Sequence, residues 1–201
     1  QLVGPSATGY NDALEPYPYD PEAAKALVAE AAADGVDVSA PIVVATRQGI
    51  YLRNAEFAQY VASQLKDIGL NATSEVIEVA QYNEQYDINY ADVPVDRGWI
   101  GTNPHGNEIM DVSSTARAYY SCEGGSSTYC NPALDEQLDA AIPLTGEERQ
   151  AALEAVTAMY YEDYGSIPII HMPLNYGLAA NLEWTPRLDG FVLIKEMKYT
   201  S

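Results

Sequence analysis

The chain has 201 residues, 47% of them hydrophobic, which is enough for a substantial core in one large domain or two small ones. Only 10 Lys and Arg stand against 29 Asp and Glu, and the net charge of -19 argues against nucleic acids and anionic membranes, since both require basic surfaces. No apolar run approaches the roughly 20 residues of a membrane span. The chain opens without Met or a signal segment, so we interpret it as processed or truncated.

The amino-terminal part predicts a connector and a helix. Residues 4–19 are rich in Gly, Pro, Tyr and Asn, a composition typical of extended connecting segments. Asp20 has the pattern of a helix N-cap because a proline and an acid follow it, and Gly35 ends the predicted helix. Helical spacing predicts a buried stripe of Leu27, Val28 and Ala31.

Residues 42–79 predict a strand, a helix and a second strand. The first strand is the apolar, β-branched run 42–46, and the second covers 72–79. Asn54 has the pattern of an N-cap for the helix between them, and Gly69 ends that helix. Its apolar residues at helical spacing are Phe57, Tyr60, Val61, Leu65 and Ile68. Because parallel strands need a crossover of this length, we expect the two strands to pair in parallel with a right-handed crossover.

The stretch 97–107 concentrates the unusual residues of the chain. We expect a helical turn at 80–86 and a strand at 88–93 to precede this stretch, and the stretch itself to form a loop. Loops beyond strand ends are where α/β sheets usually bind ligands. Its glycines would let a ligand approach the backbone, and Trp99 offers a flat apolar surface with one N–H donor. A surface loop whose tryptophan fills the core fits this composition equally well.

The carboxyl-terminal part predicts two further helices and a strand. Residues 108–130 are rich in tyrosine and show no regular pattern. Helices follow over 131–142 and 145–165. Their apolar faces carry Leu134, Leu138 and Ile142 in the first helix, and Leu153, Val156, Met159 and Tyr160 in the second. Two prolines keep the extended run 167–174 out of a central strand position, and a turn signal precedes a predicted strand at 191–199.

Cys122 and Cys130 flank a glycine-rich loop. A zinc site generally needs four ligands at tighter spacing, and neither His105 nor His171 is placed to complete an obvious set. A structural disulfide is therefore favoured over a metal or redox site, and it would place the protein outside the cytoplasm. We expect no metal and no cofactor.

Catalytic patterns are sparse. The sequence has no Gly-x-Ser-x-Gly elbow, no Gly-x-Gly-x-x-Gly fingerprint and no phosphate-binding loop. Acids such as Asp92, Asp96, Glu108 and Asp111 are abundant, but in so acidic a chain carboxylate pairs arise by chance. A glycosidase-like pair stays open as an alternative, because acids without known geometry neither establish nor exclude it.

Several motifs along the chain are each common in proteins, but their order is more specific for a protein family than any single motif. The first is Tyr19-Asp20-Pro21-Glu22-Ala23-Ala24-Lys25 at a helix start. Later ones are Leu65-Lys66-Asp67-Ile68-Gly69-Leu70, Arg97-Gly98-Trp99, Tyr129-Cys130-Asn131-Pro132, Ile167-Pro168-Ile169-Ile170 and Leu188-Asp189-Gly190-Phe191. The ordered set spans nearly the whole chain and resembles the carboxy-terminal lobe of the extracytoplasmic solute-binding proteins of family 5, which serve dipeptide, oligopeptide and nickel ABC importers.

The resemblance implies an α/β fold: a periplasmic-binding-protein-like lobe with a mixed, βαβ-containing sheet flanked by helices. Full-length members are much longer than this chain. We therefore expect residues 1–19 to be a connector from a missing amino-terminal lobe and residues 20–175 to be the carboxy-terminal ligand-binding lobe. Residues 176–201 should form a return segment toward the missing lobe.

The resemblance also implies a function without catalysis. The protein would be exported to the periplasm or another extracytoplasmic space, capture a peptide-like or related small solute between two lobes, and deliver it to an ABC permease. Neither nucleic acid nor direct membrane insertion is expected. The alternatives from other classes are an extracellular hydrolase fragment acting on glycans and a structural or adhesion module.

The residues that would contact the solute follow from the same resemblance. They are Arg97, Trp99, Gly101, Thr102, Asn103 and His105. In peptide-binding members an Asp three residues after the tryptophan pairs with the α-ammonium of the peptide, and here that position is Thr102. We expect either a solute without a free α-ammonium at this site, or a peptide whose ammonium is met by Asp96 or by an acid of the missing lobe.

Overall fold

The computed structural model describes residues 1–86, 88, 91 and 98–200. The helices are α1 (Pro21–Ala33), α2 (Asn54–Asp67), α3 (Val79–Gln85), α4 (Val112–Tyr119), α5 (Pro132–Ala141) and α6 (Gly146–Glu162). The strands are β1 (Pro41–Arg47), β2 (Asn71–Ile77), β3 (Gly98–Thr102), β4 (Leu182–Glu183) and β5 (Lys198–Tyr199). The chain divides into a sheet unit, residues 15–105, and a helical unit, residues 1–14 with 106–201.

The sheet unit is built on three parallel strands in the order β2-β1-β3. β1 pairs along its length with β2, from Pro41 opposite Asn71 to Arg47 opposite Ile77. The predicted strand–helix–strand unit and its parallel pair are therefore confirmed. β2 ends two residues before the predicted end because Glu78 instead caps α3 with its carboxylate.

α2 covers one face of this sheet. The prediction that Asn54 caps this helix is wrong, because Arg53 is the N-cap and Asn54 is the first helical residue. The α2 alanines Ala58 and Ala62 are buried against Val44 and Ala72 of the strands. Small side chains let the helix backbone approach the sheet, so the larger apolar residues lie at the flanks. Half-buried there are Phe57, Val61, Leu65 and Ile68. Tyr60 is 59% exposed, so its predicted place in the buried stripe is wrong.

α1 begins at the predicted cap, where the Asp20 carboxylate accepts a hydrogen bond of 2.9 Å from the Ala23 N–H. Val28 and Ala31 are half-buried on its inner face, but Leu27 is 66% exposed, so its predicted burial is wrong. Alanine occupies so much of this helix that its apolar stripe is weak. The sequence therefore predicted correctly where α1 begins, but it did not predict correctly which side of the helix is buried.

The stretch that contains Trp99 begins as a strand and not as the predicted loop. β3 pairs in parallel with β1, from Ile42 opposite Gly98 to Thr46 opposite Thr102. Pro104 and Gly106, which disfavour regular structure, lie beyond the end of β3, and the aromatic and β-branched residues of β3 favour a strand. The helical turn expected at 80–86 is α3. The predicted strand 88–93 lies almost entirely outside the described residues.

α4, α5 and α6 build the helical unit around a core that also takes in the amino-terminal segment. The core includes Val3, Ala7, Val112, Ala116, Tyr120, Leu134, Leu138, Leu153, Val156 and Tyr160. Of the predicted faces of α5 and α6, only Ile142 is exposed, because it lies past the last turn as the C-cap of α5. α4 forms within the region predicted to be irregular, where Asp111 caps it by accepting from the Ser113 N–H at 2.9 Å.

The loop between α4 and α5 is closed by the disulfide predicted from the sequence. Cys122 and Cys130 are bonded, with their Cα atoms 4.2 Å apart. Hydrogen bonds from the Ser127 hydroxyl to the backbone carbonyls of Tyr119 and Tyr129 add to this closure. The covalent bond and the hydrogen bonds together hold a short glycine-rich loop against the helical core.

The segment after α6 has little regular structure. Residues 167–174 are in neither helix nor strand. The predicted strand 191–199 is wrong except at Lys198–Tyr199, which pairs antiparallel with Leu182–Glu183, and Ile194–Glu196 forms a 3-10 helix. Exposed apolar residues of the segment include Ile167, Ile169, Ile170, Met172, Leu174, Phe191, Val192 and Ile194. Local sequence alone does not distinguish an apolar strand from an apolar segment that lacks a partner strand.

Candidate functional site

The carboxyl ends of the parallel strands bring together the side chains with binding chemistry. Arg47 is the last residue of β1 and Thr102 the last of β3, and these strands are neighbours in the sheet. Successive residues of a strand point to opposite faces. Trp99 and Gly101 therefore share with Arg47 the face covered by α3, whereas Thr102 lies on the face covered by α2.

Three aromatic residues, Tyr82, Tyr86 and Trp99, form a cluster on the α3 face. The rings of Tyr82 and Tyr86 have centroids 5.4 Å apart, and Tyr86 meets Trp99 edge-on at 5.1 Å and 74°. Both tyrosines are buried, and Trp99 is half-buried. Such edge contacts are favourable, so the cluster fixes the position of Trp99 while part of its surface stays open to solvent.

Gly101 lies next to this cluster, where a side chain does not fit. A Cβ at this position would lie 3.2 Å from Cζ3 of Trp99 and closer still to the hydroxyl of Tyr82. The close approach of Tyr82 to β3 thus requires glycine. Gly101 contributes to the site by leaving room for the aromatic cluster.

Arg47 extends over the Tyr82 ring, with its guanidinium carbon 5.3 Å from the ring centroid. Its Nη2 donates to Oδ1 of Asn103 at 2.7 Å. Its Nε is buried and has no hydrogen-bond partner among the described residues. The aromatic ring below and the amide beside it hold the guanidinium at the edge of the sheet.

Thr102 belongs to a different environment. It is 8% exposed, and the hydroxyl of Tyr51 donates to its Oγ1 at 3.4 Å. On the same face Asn54 Nδ2 donates to Oγ1 of Thr46 at 3.1 Å and to the carbonyl of Arg47 at 2.5 Å. These contacts join the start of α2 to the end of β1, so the α2 face carries a buried polar junction at the strand ends.

The remaining residues expected at the site are only partly brought together. Asn103 is exposed and accepts the hydrogen bond from Arg47, and His105 is half-buried just beyond the end of β3. Arg97 lies outside the described residues, as do Asp92 and Asp96.

Asn107 has its partners within the helical unit. Its Nδ2 donates to the Asp111 carbonyl at 2.7 Å and to Oγ1 of Thr115 at 2.9 Å. The Asp111 carboxylate accepts two hydrogen bonds from Arg149, at 2.8 and 3.0 Å. Burial opposes the ionisation of Asp111, but the hydrogen bonds from Arg149 and Ser113 outweigh it and lower the pKa of the carboxyl. These side chains stabilise the helical unit.

The described residues of the α3 face include the guanidinium of Arg47, the amide of Asn103 and the half-buried indole of Trp99. This combination suits the recognition of a planar or anionic group. Within the described parts of the chain, no group of three or more His, Cys, Asp or Glu could hold a metal ion. None of the helices described is long and apolar enough to cross a membrane.

Neither Arg47 nor the two tyrosines of the aromatic cluster were predicted from the sequence. Arg47 directly follows the predicted strand 42–46, so the rule that ligands bind beyond strand ends applied to it as well. No comparable signal marked Tyr82 and Tyr86, because a tyrosine at helical spacing is equally typical of a core.

Comparison with known proteins gives one family match. Residues 1–121 match the family model of bacterial extracellular solute-binding proteins, family 5, middle part. The matched residues are more than half of the chain.

Two curated proteins and a solved structure illustrate the similarity. Di/tripeptide-binding protein 2 of Pseudomonas aeruginosa is 26% identical over 170 residues, which are 83% of this chain and 31% of that protein. Heme-binding protein A of Haemophilus influenzae is 26% identical over 193 residues, 94% of this chain and 33% of that protein. The oligopeptide-binding protein AppA of Bacillus subtilis, solved with a nonapeptide, matches with a TM-score of 0.66 at 18% identity, covering 98% of this chain and 41% of that one.

These matches confirm the predicted α/β fold of a binding-protein lobe. The chain spans about a third of the length of the curated relatives.

Proposed function

The chain belongs to the bacterial extracellular solute-binding proteins of family 5, and from this membership we propose that it is the ligand-binding lobe of a longer protein that captures a solute for an ABC importer. The family match over residues 1–121 carries the proposal. The names of the relatives support it, since one is a di/tripeptide-binding protein and another a heme-binding protein.

The mechanism we propose is capture without catalysis. Residues 20–175 form one lobe, and residues 1–19 and 176–201 connect it to a second lobe. Hinge bending closes the two lobes over the solute, and the membrane permease recognises the closed form. The protein acts outside the cytoplasm, and the disulfide between Cys122 and Cys130 is compatible with such a compartment.

The proposed solute contacts belong to β3 and its neighbours in the chain. They comprise Arg97, Trp99, Gly101, Thr102, Asn103 and His105. Trp99 offers the part of its ring left open by the aromatic cluster, and Gly101 is exposed next to it and leaves room for Tyr82. Thr102 is largely buried on the other face, and we propose that it meets the solute at the end of β3.

The solute we propose is peptide-like or a related small molecule without a free α-ammonium at this position. A buried ammonium needs a carboxylate or several acceptors, because an unpaired charge in a closed cleft costs several kcal/mol. Thr102 supplies a neutral hydroxyl where peptide-binding members have an Asp, and that hydroxyl already accepts from Tyr51. A modified or cyclic peptide, or a glycan-like molecule, would fit such a site.

Two measurements on the longer protein test the proposal. Native mass spectrometry would identify small molecules that copurify with it, and calorimetry would compare unmodified and N-acetylated di- to pentapeptides. We expect Trp99→Ala to weaken binding at least tenfold, while Tyr60→Ala, on the exposed side of α2, leaves it unchanged. Conversion of the bound molecule to product, or the absence of any bound molecule and of peptide binding, would contradict the proposal.

A further inference from the structure

The disulfide loop, residues 122–130, is joined to the end of α6 through the two residues that flank Cys130. The Tyr129 hydroxyl donates to Oδ2 of Asp163 at 2.6 Å, and Asn131 Nδ2 donates to the same oxygen at 2.7 Å. Asp163 is the C-cap of α6. The two neighbours of one disulfide-bonded cysteine therefore hold the residue at which this helix ends.

The hydrogen bonding of α6 ends at residues 163–165, which we call the exit turn because the segment after α6 starts there. Its three backbone N–H groups donate to carbonyls of α6 at 3.0 to 3.1 Å. Tyr164 has a left-handed backbone, with φ of 55°, and a Cβ on Gly165 would overlap the ring of Tyr160. The Tyr160 ring also meets the Tyr129 ring edge-on at 5.0 Å. The exit turn thus packs on an aromatic residue that the disulfide loop contacts as well.

The link between the disulfide loop and the exit turn is an ionic hydrogen bond at the surface. The hydrogen bonds from Tyr129 and Asn131 lower the pKa of the Asp163 carboxyl, so Asp163 stays ionised and accepts both. Burial and the hydrogen bond to Asp163 raise the pKa of the Tyr129 hydroxyl, so it stays a donor. Because Asp163 is exposed, water competes for its oxygens, and such a link is weak unless its donors are held in place.

The disulfide holds those donors. When it opens, the hydrogen bond from the Ser127 hydroxyl to the Tyr119 carbonyl still ties the middle of the loop to α4. The end of the loop that carries Tyr129 and Cys130 loses its covalent tether. Both cysteines are half-buried, so a small reductant can reach the bond.

We propose that the disulfide between Cys122 and Cys130 is a redox-sensitive switch for the exit turn. A dithiol reductant attacks one sulfur, the S–S bond breaks, and two electrons and two protons convert the cysteines into thiols while the dithiol becomes a disulfide. Tyr129 and Asn131 then leave Asp163, and the exit turn opens to solvent. The inference goes beyond the proposed function. Where that function holds, the redox state alters the segment that connects this lobe to the second one.

The test follows amide hydrogen exchange of the 201-residue chain by NMR, before and after reduction with dithiothreitol at pH 7. We expect the amides of the exit turn to exchange at least about tenfold faster after reduction, because local opening exposes them. The double variant Cys122→Ser, Cys130→Ser should show the fast exchange without reductant and should not respond to it. Asp111→Asn is the matched control, because it removes an ion pair of the same helical unit outside the disulfide loop, and it should leave exchange at the exit turn nearly unchanged.

A second arm keeps the disulfide intact. Tyr129→Phe removes the hydroxyl and keeps the ring, so we expect faster exchange at the exit turn and a rise in the pKa of Asp163 toward its ordinary value, measured by carbon-13 NMR of the carboxylate. Tyr199→Phe, at a residue 79% exposed in β5, is the control and should change neither quantity.

Equal exchange of the exit turn in the two redox states would overturn the inference. The same holds for an acceleration by Asp111→Asn as large as that by reduction, and for loss of protection throughout the helical unit, since the effect would then be global. A Tyr129→Phe variant with unchanged exchange and unchanged Asp163 pKa would also overturn it. If the exit turn responds as expected while the longer protein binds no solute, the switch stands and the proposed function fails.

Discussion

Gly101 lies directly beneath the hydroxyl of Tyr82, so that a Cβ on Gly101 would be 2.6 Å from Oη of that tyrosine. Tyr82 is wholly buried and also supports the guanidinium of Arg47. Because Gly101 of β3 has no side chain, the ring of Tyr82 on α3 can pack against that strand. The same ring lies under the guanidinium of Arg47 on β1. This relationship couples the packing of the sheet unit to its candidate site.

The first prediction is that Gly101→Ala destabilises the protein. The new methyl group must displace Tyr82 from a packed environment, and overpacking of this kind typically costs about 1–3 kcal/mol. Urea unfolding would measure the loss. The matched control is Gly177→Ala, since a Cβ at Gly177 has no atom within 4 Å. Equal stability of the two variants would show that the space around Tyr82 is more adaptable than the structure indicates.

The second prediction concerns the position where peptide-binding members have an acid. In the longer protein, Thr102→Asp should create or strengthen binding of free-amine dipeptides, because a carboxylate can pair with the α-ammonium. Since Thr102 is largely buried, we expect the new acid to lower stability by about 1–3 kcal/mol. Calorimetry with a dipeptide and with its N-acetyl form measures the effect, and Thr102→Asn is the neutral control. Identical affinities for the folded Asp and Asn variants would count against a role for this position.

The third prediction concerns the ion pair of Asp111 and Arg149, whose side chains are only 18% and 19% exposed. Arg149 also donates to the carbonyls of Ala141 and Ile142 at the end of α5. Asp111→Asn should therefore lower the free energy of unfolding at pH 7 by about 2 kcal/mol. Asp139→Asn, which breaks the exposed pair with Arg117, should have little effect.

The same pair predicts a pH dependence. The pKa of Asp111 is lower in the folded protein, so the folded state favours the ionised form. Its contribution is fully present above the ordinary carboxyl pKa of about 4 and is lost as the pH falls below that value. The stability difference between the unmodified protein and Asp111→Asn should therefore shrink below about pH 4. A difference that stays constant from pH 7 to pH 3 would contradict this assignment.

The fourth prediction concerns the disulfide. Opening the short loop between Cys122 and Cys130 should lower stability by about 2–3 kcal/mol, because the bond restricts the unfolded chain. Thermal unfolding with and without reductant measures the loss, and the double variant Cys122→Ser, Cys130→Ser should not respond to reductant. Two free thiols in the denatured, unreduced protein would exclude the bond in solution.

The fifth prediction concerns the apolar segment after α6. Because so many of its aliphatic side chains are exposed, we expect the 201-residue chain to self-associate through it. The double variant Ile169→Ser, Ile170→Ser should reduce this association in sedimentation velocity at moderate salt. Leu52→Ser is the control, since Leu52 is 91% exposed but lies outside this segment, in the sheet unit. A monomeric unmodified chain would contradict the prediction.

Much of the local structure could be predicted because its signals act over a few residues. Asp20 and Asn131 cap helices by accepting hydrogen bonds from N–H groups close by in the chain, so their patterns are visible in the sequence. The βαβ unit could be predicted because the two strands and the helix each have their own periodicity. The family could be recognised because an ordered set of such local motifs persists along the chain.

The positions of the site residues depended instead on distant partners. Trp99 was recognised as unusual, but a short glycine-containing stretch becomes a strand only when another strand is available to pair with it, and β1 precedes β3 by about 50 residues. The sequence likewise gave no indication that Tyr82 would meet Gly101, since that contact requires α3 to pack across the sheet.

The sequence by itself determined where α1, α5 and α6 begin, the order of strands and helix in the βαβ unit, the disulfide and the family, because caps, turn residues and periodicity are properties of neighbouring residues. Only the tertiary structure decided that Trp99 and Thr102 lie on opposite faces of the sheet and that Arg47 shares the face of Trp99. The physical reason is that strand pairing fixes the register, and the register decides on which face each side chain lies.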